Sequence, residues 1–253
     1  SRQNPLAKHL VKLADNRRER LKSRQTLLVG THLVQAALAA GWPLEKLLVC
    51  EGEEGREEIR ELLEQQHVPT LMLDRALFAE IEQTPSSTGL IALTAFPEAP
   101  AARTDGFCLL LEGVQDPGNV GSILRTAAAA GVDQVWLTAG CADVWSPKVL
   151  RAGMGAHFRL PMIERVTLEE VLPGFRGAIA ATTLEEAQSL YAAPLKGDLV
   201  LALGSEGGGV SAELLAQATL RLHIPMTDAV ESLNVAAAAA VCLFERRRQQ
   251  LQS

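Results

Sequence analysis

The stretch LGSEGGGVS (residues 203–211) holds four glycines within six positions, around Ser205 and Glu206. Glycines this dense let the backbone bend sharply or approach a ligand closely. The preceding run DLVLALG (198–204) is almost wholly apolar, which is typical of a strand buried inside a parallel sheet. Open α/β sheets bind their ligands beyond the carboxyl ends of such strands. The stretch therefore predicts an α/β fold with a ligand-binding loop after this strand.

The composition of the loop argues against a phosphate as its ligand. A Walker loop needs a Lys that neutralises phosphate charge, and no Lys follows these glycines. A dinucleotide fingerprint opens the first helix of a βαβ unit and is followed about 20 residues later by an acid, which this loop does not match. Glu206 would also bring a negative charge to the phosphate position. A nucleotide-binding α/β enzyme of another kind remains an alternative, and the loop taken alone is also compatible with a tight turn.

Two further segments have a related form. EGVQDPGNVGSILRTAAAAG (112–131) is a strand end, a polar glycine-containing turn and a helix, with Asn119 at the turn and Arg125 on the helix. In HIPMTDAVESLNVAAAAA (223–240), polar side chains crowd the predicted start of the last helix. Taken singly, these residues could be helix caps and surface charges.

The order of predicted elements divides the chain into two α/β series. Residues 1–97 begin with a helical pattern over 5–25 and continue with alternating strands and helices. The stretch FPEAPAARTDG (96–106) breaks the pattern, and we interpret residues 98–105 as a linker. Residues 106–253 carry the second series, which ends in a predicted strand over 221–226 and a helix over 231–251.

Composition and charge restrict the class of protein. With 47% hydrophobic and 21% charged residues, the chain has the composition of a folded globular protein rather than a disordered one. The net charge is −6, yet residues 1–30 hold eight basic side chains and two acidic ones. This basic arm indicates either a polyanionic partner or a solvated helix face.

The remaining composition favours a cytoplasmic protein without a metal. The four cysteines form no CxxC pair, and the five histidines show no ligand spacing. The amino end carries no apolar core of a signal peptide. The longest apolar run, residues 235–244, is much shorter than the ~20 residues of a membrane span. We therefore expect reduced thiols, no metal and no membrane segment.

Together the three segments have a specific likeness. N-x-G-S-x-x-R-T-A, then L-G-S-E-G-x-G-V-S, then I-P-M-x-x-x-V-E-S-L-N-V-A resembles the SpoU (TrmH-type) RNA ribose 2′-O-methyltransferases of the SPOUT superfamily. The stretch SPKVLRAGMGAHFRLP (146–161) is also similar to that family, and the likeness covers about residues 107–250. Residues 84–93, TPSSTGLIAL, are more loosely similar to the substrate-binding domain often attached to it.

The resemblance implies a fold and a cofactor. It implies a carboxyl-terminal parallel-sheet domain tied in a trefoil knot, preceded by a smaller α/β, L30e-like substrate-binding domain. It also implies S-adenosylmethionine as the cofactor, and a homodimer in which the small residues Ala236 to Ala240 suit close helix packing. The residues implied for cofactor binding are Thr182, Leu203, Gly204, Gly208, Ile224, Met226 and Leu233.

The resemblance further implies methylation of an RNA ribose. Arg125 would activate the hydroxyl with help from an RNA phosphate, while Asn119, Glu206, Ser232 and Asn234 would shape the catalytic site. Ribosomal RNA is favoured over transfer RNA because a separate amino domain is present; a catalytically silent RNA-binding protein is the other alternative. The family commonly has Ser at the position of Ala236, so the minor packing or hydrogen-bonding role of that Ser is not expected here. The predicted RNA contacts are Arg17, Arg18, Arg20, Lys22 and Arg24.

Overall fold

The structure is a computed structural model that describes residues 4–252. The helices are α1 Pro5–Asp15, α2 Arg17–Ser23, α3 Thr31–Ala39, α4 Glu57–Gln65, α5 Arg75–Glu82, α6 Pro117–Ala130, α7 Pro147–Gly153, α8 Leu168–Val171, α9 Ala212–Gln217 and α10 Val235–Leu251. The strands are β1 Gln25–Val29, β2 Lys46–Cys50, β3 Thr70–Leu73, β4 Leu90–Ala95, β5 Phe107–Glu112, β6 Gln134–Thr138, β7 Met162–Val166, β8 Ala178–Thr182, β9 Gln188–Ser189, β10 Leu199–Gly204 and β11 Leu220–His223.

The chain forms two compact units. The first holds the described residues up to Glu98 together with Trp145–Phe158, and the second holds Ala99–Val144 and the described residues from Arg159 onward. In the first unit a sheet of order β1-β4-β2-β3 has β4 antiparallel to both neighbours and β3 parallel to β2. Its core includes Leu10, Leu13, Leu27 and Phe78.

The segment 145–158, which carries α7, belongs to the first unit although it lies between two strands of the second along the chain. Trp145 stacks on Phe96 with ring centroids 5.0 Å apart, and its carbonyl oxygen accepts a hydrogen bond of 2.6 Å from Thr26 Oγ1. These aromatic and polar contacts explain the grouping, and no local pattern in the sequence indicates them.

The second unit is built on a sheet of order β7-β6-β5-β10-β8-β11-β9, in which each neighbouring pair is parallel. One face buries an apolar cluster that includes Cys108, Leu110, Trp136 and Val200. The predicted α/β fold, a parallel sheet with a smaller amino-terminal domain before it, is confirmed. The knot implied for the final segment stays a prediction.

Three predicted boundaries were wrong. The helical pattern over 5–25 is interrupted at Asn16, which has extended dihedral angles and caps α2 by accepting from the Glu19 N–H. The predicted strand over 221–226 ends at His223, and the last helix begins at Val235 rather than at 231. Asn234 sets that start, because its Oδ1 accepts from the N–H groups of Ala236 and Ala237. Residues 224–234 are therefore a connecting segment.

Candidate active site

Three side chains that are distant in sequence meet in the second unit. Asn119 Nδ2 donates to Glu206 Oε1, and Asn234 Nδ2 donates to Asn119 Oδ1 at 3.0 Å and to Glu206 Oε1 at 3.3 Å. One residue comes from each of the three segments that the sequence singled out. We call this group the Asn–Glu–Asn cluster.

Local caps hold two members of the cluster in place. Asp116 caps α6 by accepting from the Asn119 N–H at 2.8 Å, and Pro117 opens the helix, so Asn119 lies in the first turn. Asn234 caps α10 with its oxygen, which leaves its amide nitrogen to reach Asn119 and Glu206. The side-chain amides are therefore oriented by helix caps as well as by each other.

Glu206 is carried by the glycine-rich loop after β10. The loop closes on itself: Ser205 and Gly209 form an isolated bridge, and the Gly209 N–H donates to the Ser205 carbonyl oxygen at 2.9 Å. Gly209 has φ +62°, a value that glycine adopts without strain. The glycines therefore allow the loop to fold back on itself. The loop contains no Lys that could bind a phosphate.

A cavity of about 410 Å³ opens beside this loop. Its walls come from the carboxyl ends of β8, β10 and β11, which lie at one edge of the sheet, from the segments that follow them, and from residues of α9 and α10. Glu206 and Ser232 of the predicted catalytic residues line it, whereas Asn119, Arg125 and Asn234 are not among its lining residues. All seven residues predicted for the cofactor line it: Thr182, Leu203, Gly204, Gly208, Ile224, Met226 and Leu233.

The charge of the cavity lining suits a ligand that is not anionic. Glu185, Glu206 and Glu231 contribute carboxylates, His223 contributes an imidazole, and no Lys or Arg is among the described lining residues. A cavity of this kind opposes a phosphate and favours a ligand with positive charge. The sequence had suggested this only through Glu206.

Some lining residues were not predicted from the sequence. Val235, Ala238 and Cys242 lie one and two turns apart on α10 and share its cavity-facing side. Burial raises the pKa of the Cys242 thiol to about 12. The helical spacing of 235, 238 and 242 is the signal that could have indicated them once Asn234 was recognised as the cap.

Arg125 is exposed on α6, and its side chain forms no hydrogen bond or ion pair with any residue in the described range. The structure therefore does not bring it into the Asn–Glu–Asn cluster. Its guanidinium group is free to bind an anion such as an RNA phosphate.

One predicted RNA contact is contradicted by its burial. Arg20 is 4% exposed and donates to the Leu13 carbonyl oxygen at 2.6 Å, because the break at Asn16 turns α2 so that this side chain faces α1. Arg17 is half-buried. The other three predicted contacts are exposed: Arg18, Lys22 and Arg24.

The described part of the chain shows neither a metal-binding cluster nor a membrane-spanning helix. Over residues 4–252, no group of three or more His, Cys, Asp and Glu side chains is arranged to hold a metal ion. None of the described helices has the length and apolarity to cross a membrane.

Comparisons with known proteins match nearly the whole chain. The sequence model of the SpoU rRNA Methylase family matches residues 106–244, and the MRM3-like substrate binding domain matches residues 4–92. An uncharacterized tRNA/rRNA methyltransferase of Synechocystis is 38% identical over 99% of this chain and 93% of its own length. The 23S rRNA (guanosine(2553)-2′-O)-methyltransferase RlmP of Bacillus subtilis is 33% identical over 91% of this chain and 92% of its own.

Solved structures agree with these matches. The SpoU methyltransferase AviRb of Streptomyces viridochromogenes, in complex with AdoMet, superposes with a TM-score of 0.90 at 26% identity, covering 99% of this chain and 100% of that one. An AdoMet-bound rRNA methyltransferase of Sinorhizobium meliloti superposes with a TM-score of 0.84 at 26% identity, over 98% and 96% of the two chains. The resemblance deduced from the three motifs is confirmed, and the chain belongs to the SpoU rRNA Methylase family.

Proposed function

We propose that this protein transfers a methyl group from S-adenosylmethionine to the 2′-hydroxyl of a ribose in ribosomal RNA. The observation that carries the proposal is the meeting of three separate motifs in the Asn–Glu–Asn cluster, with Glu206 shared between the cluster and the cavity wall. The Bacillus subtilis relative, whose name specifies 2′-O-methylation of 23S rRNA, supports this substrate class.

The cavity fits the cofactor in size and charge. Its volume of about 410 Å³ lies within the range of about 300–1,000 Å³ that is usual for small-molecule sites. Glycine backbone, apolar side chains and carboxylates match an uncharged nucleoside joined to a cationic sulfur. The cofactor supplies the methyl group and, through its sulfonium, the leaving group. The seven predicted cofactor residues would hold it.

The residues of the protein must then orient the ribose and help its hydroxyl lose a proton, since a ribose hydroxyl is a weak acid. The cationic guanidinium group of Arg125, with help from an RNA phosphate that it binds, would stabilise the developing alkoxide as the ribose hydroxyl gives its proton to water. Asn119, Asn234 and Glu206 would fix the ribose relative to the cavity, and Ser232 would complete the wall.

We assign RNA binding to residues 1–97, a linker to 98–105 and methyl transfer to 106–253. The side chains of Arg18, Lys22 and Arg24 would contact RNA phosphates. We further propose that the protein acts as a homodimer in the cytoplasm.

The test is a map of ribose methylation across total RNA from cells with and without the gene. We expect one ribosomal position to lose its methyl group in the deletion and to regain it with the wild-type gene. A position lost in transfer RNA would favour the alternative substrate. If the map is unchanged and calorimetry detects no heat of S-adenosylmethionine binding, the alternative of a catalytically silent RNA-binding protein is favoured.

A further inference from the structure

One residue, Glu112, contacts both ends of the glycine-rich loop. Glu112, the last residue of β5, is the register partner of Gly204 at the end of β10. Its side chain accepts two hydrogen bonds from Ser211, where the loop ends: 2.7 Å from the backbone N–H to Oε2 and 2.6 Å from the hydroxyl to Oε1. Residues 205–210 are thus held at entry by backbone pairing and at exit by a carboxylate.

The exit is held in a defined orientation. Ser211 Oγ donates to Glu112 and accepts from the Leu214 N–H at 3.1 Å, so the hydroxyl is fixed from both sides while it caps α9. A carboxylate is purely an acceptor, and hydrogen bonds to it are about twice as strong as bonds between neutral groups. Glu112 is half-buried, which limits competition from water.

Between its ends the loop is held by the bonds that Glu206 accepts in the Asn–Glu–Asn cluster and by the burial of Val210 in the apolar core. Glu206, Gly207, Gly208 and Gly209 are exposed, and within the loop the bonds are those that Ser205 accepts from Gly208 and Gly209. A glycine-rich segment gains little rigidity from its own side chains. Apart from these contacts of Glu206 and Val210, its position depends on its two ends.

We propose that Glu112 is a positioning residue, which sets the loop so that Glu206 meets Asn119 and Asn234 and Gly204 and Gly208 line the cavity. The inference rests on the proposed function for its effect on cofactor binding. Glu112 is not a catalytic residue, because it is outside the cavity lining and acts through Ser211.

The experiment compares Glu112→Ala and Glu112→Gln in the full chain. Hydrogen exchange of loop amides 205–210 reports the loop without a ligand, and calorimetry reports S-adenosylmethionine affinity. For Glu112→Ala we expect faster exchange confined to the loop and affinity weakened by about tenfold or more. Glu112→Gln should recover most of both, because its amide can accept from the Ser211 N–H and donate to Ser211 Oγ.

The first unit supplies a matched control. Glu82 Oε1 accepts from the Thr88 N–H at 2.6 Å and from Thr88 Oγ1 at 2.5 Å, a contact of the same chemistry. Glu82→Ala should lower the stability of the protein and leave cofactor affinity unchanged. If Glu112→Ala behaves like Glu82→Ala, with unaltered loop exchange and affinity, the proposal is overturned.

Ser211→Ala keeps the experiment decisive if Glu112→Ala does not fold. It removes the hydroxyl bond while retaining the backbone bond, and we expect a smaller change in the same direction in both measurements. No change in loop exchange would overturn the proposal. If the wild-type protein does not bind S-adenosylmethionine in calorimetry, the proposed function is refuted. Hydrogen exchange of the loop amides would still decide the role of Glu112.

Discussion

Gly204 and Gly209 approach each other backbone to backbone. A β carbon built on Gly204 would lie 2.0 Å from the carbonyl carbon of Gly209, which no small shift relieves. Gly207, in the same loop, has nothing within 4 Å of its β-carbon position. Position 204 therefore has no room for a side chain, whereas position 207 does, although both glycines lie in the same glycine-rich stretch of the sequence.

Gly204→Ala should displace the loop and weaken S-adenosylmethionine binding by about tenfold or more, since a backbone clash cannot be absorbed by side-chain rotation. Gly207→Ala is the control, and it should bind the cofactor with nearly wild-type affinity. Calorimetry measures both. Equal affinities for the two variants would mean that the close approach does not hold the cavity wall.

Arg125→Ala should lower the rate of methyl transfer by about 10²–10⁴-fold, the usual range for losing a group that assists proton transfer. Cofactor affinity should stay within about twofold, because Arg125 is not among the residues lining the cavity. Single-turnover methylation of RNA and calorimetry give the two quantities. Arg176→Ala, which removes an exposed guanidinium paired with Asp105, is the matched control. A normal rate in Arg125→Ala would refute its catalytic assignment.

The location of the site was predictable, because parallel strands share an edge. The strands β8, β10 and β11 are neighbours that end at Thr182, Gly204 and His223, so the residues that follow them lie together. Motif order along the chain then indicated which side chains would meet.

The burial of Arg20 and the pairing of Glu112 with Ser211 were not predictable. The apolar spacing over 5–25 runs through Asn16 without a sign of the break that turns Arg20 inward. Glu112 and Ser211 are 99 residues apart, and their contact depends on β5 lying beside β10, which a local pattern does not specify. The periodicity of a sequence indicates its helices and strands, whereas these two features arise from tertiary contacts.

A triple variant in which Arg18, Lys22 and Arg24 are each replaced by Gln should bind RNA more weakly, and its RNA affinity should depend less on salt. The slope of log affinity against log salt should fall by roughly 0.7–0.9 for each phosphate that the variant no longer neutralises. Titration of RNA at several salt concentrations measures the slope. Arg60→Gln, which removes an exposed charge on the acidic helix α4, should leave it unchanged. An unaltered slope in the triple variant would place the RNA-binding surface elsewhere.

The Cys242 thiol should resist alkylation in the folded protein and react after unfolding, because burial raises its pKa from 9.0 to about 12. The same shift makes stability depend on pH. The unfolded thiol ionises near 9.0 while the folded one stays neutral, so the contribution is complete below pH 9 and is lost as pH rises toward 12. Denaturant unfolding from about pH 8 to about pH 11 should therefore show a steeper decline for wild type than for Cys242→Ala. Identical declines would contradict the shift.

The carboxylates of the cavity should make the protein prefer the charged cofactor to its demethylated product. Methyl transfer removes the positive charge from sulfur, so the attraction of Glu185, Glu206 and Glu231 weakens once the product forms. All three are exposed, and each exposed pair contributes at most about 1 kcal/mol, or roughly fivefold in affinity. Replacing Glu185 and Glu231 with Gln should therefore lower the affinity ratio of S-adenosylmethionine to S-adenosylhomocysteine severalfold, and more at low salt than at high salt. Glu213→Gln, an exposed carboxylate on α9 that is not among the cavity-lining residues, should leave the ratio unchanged. If the double variant keeps the wild-type ratio at low salt, selectivity against the product arises from contacts with the methyl group rather than from charge.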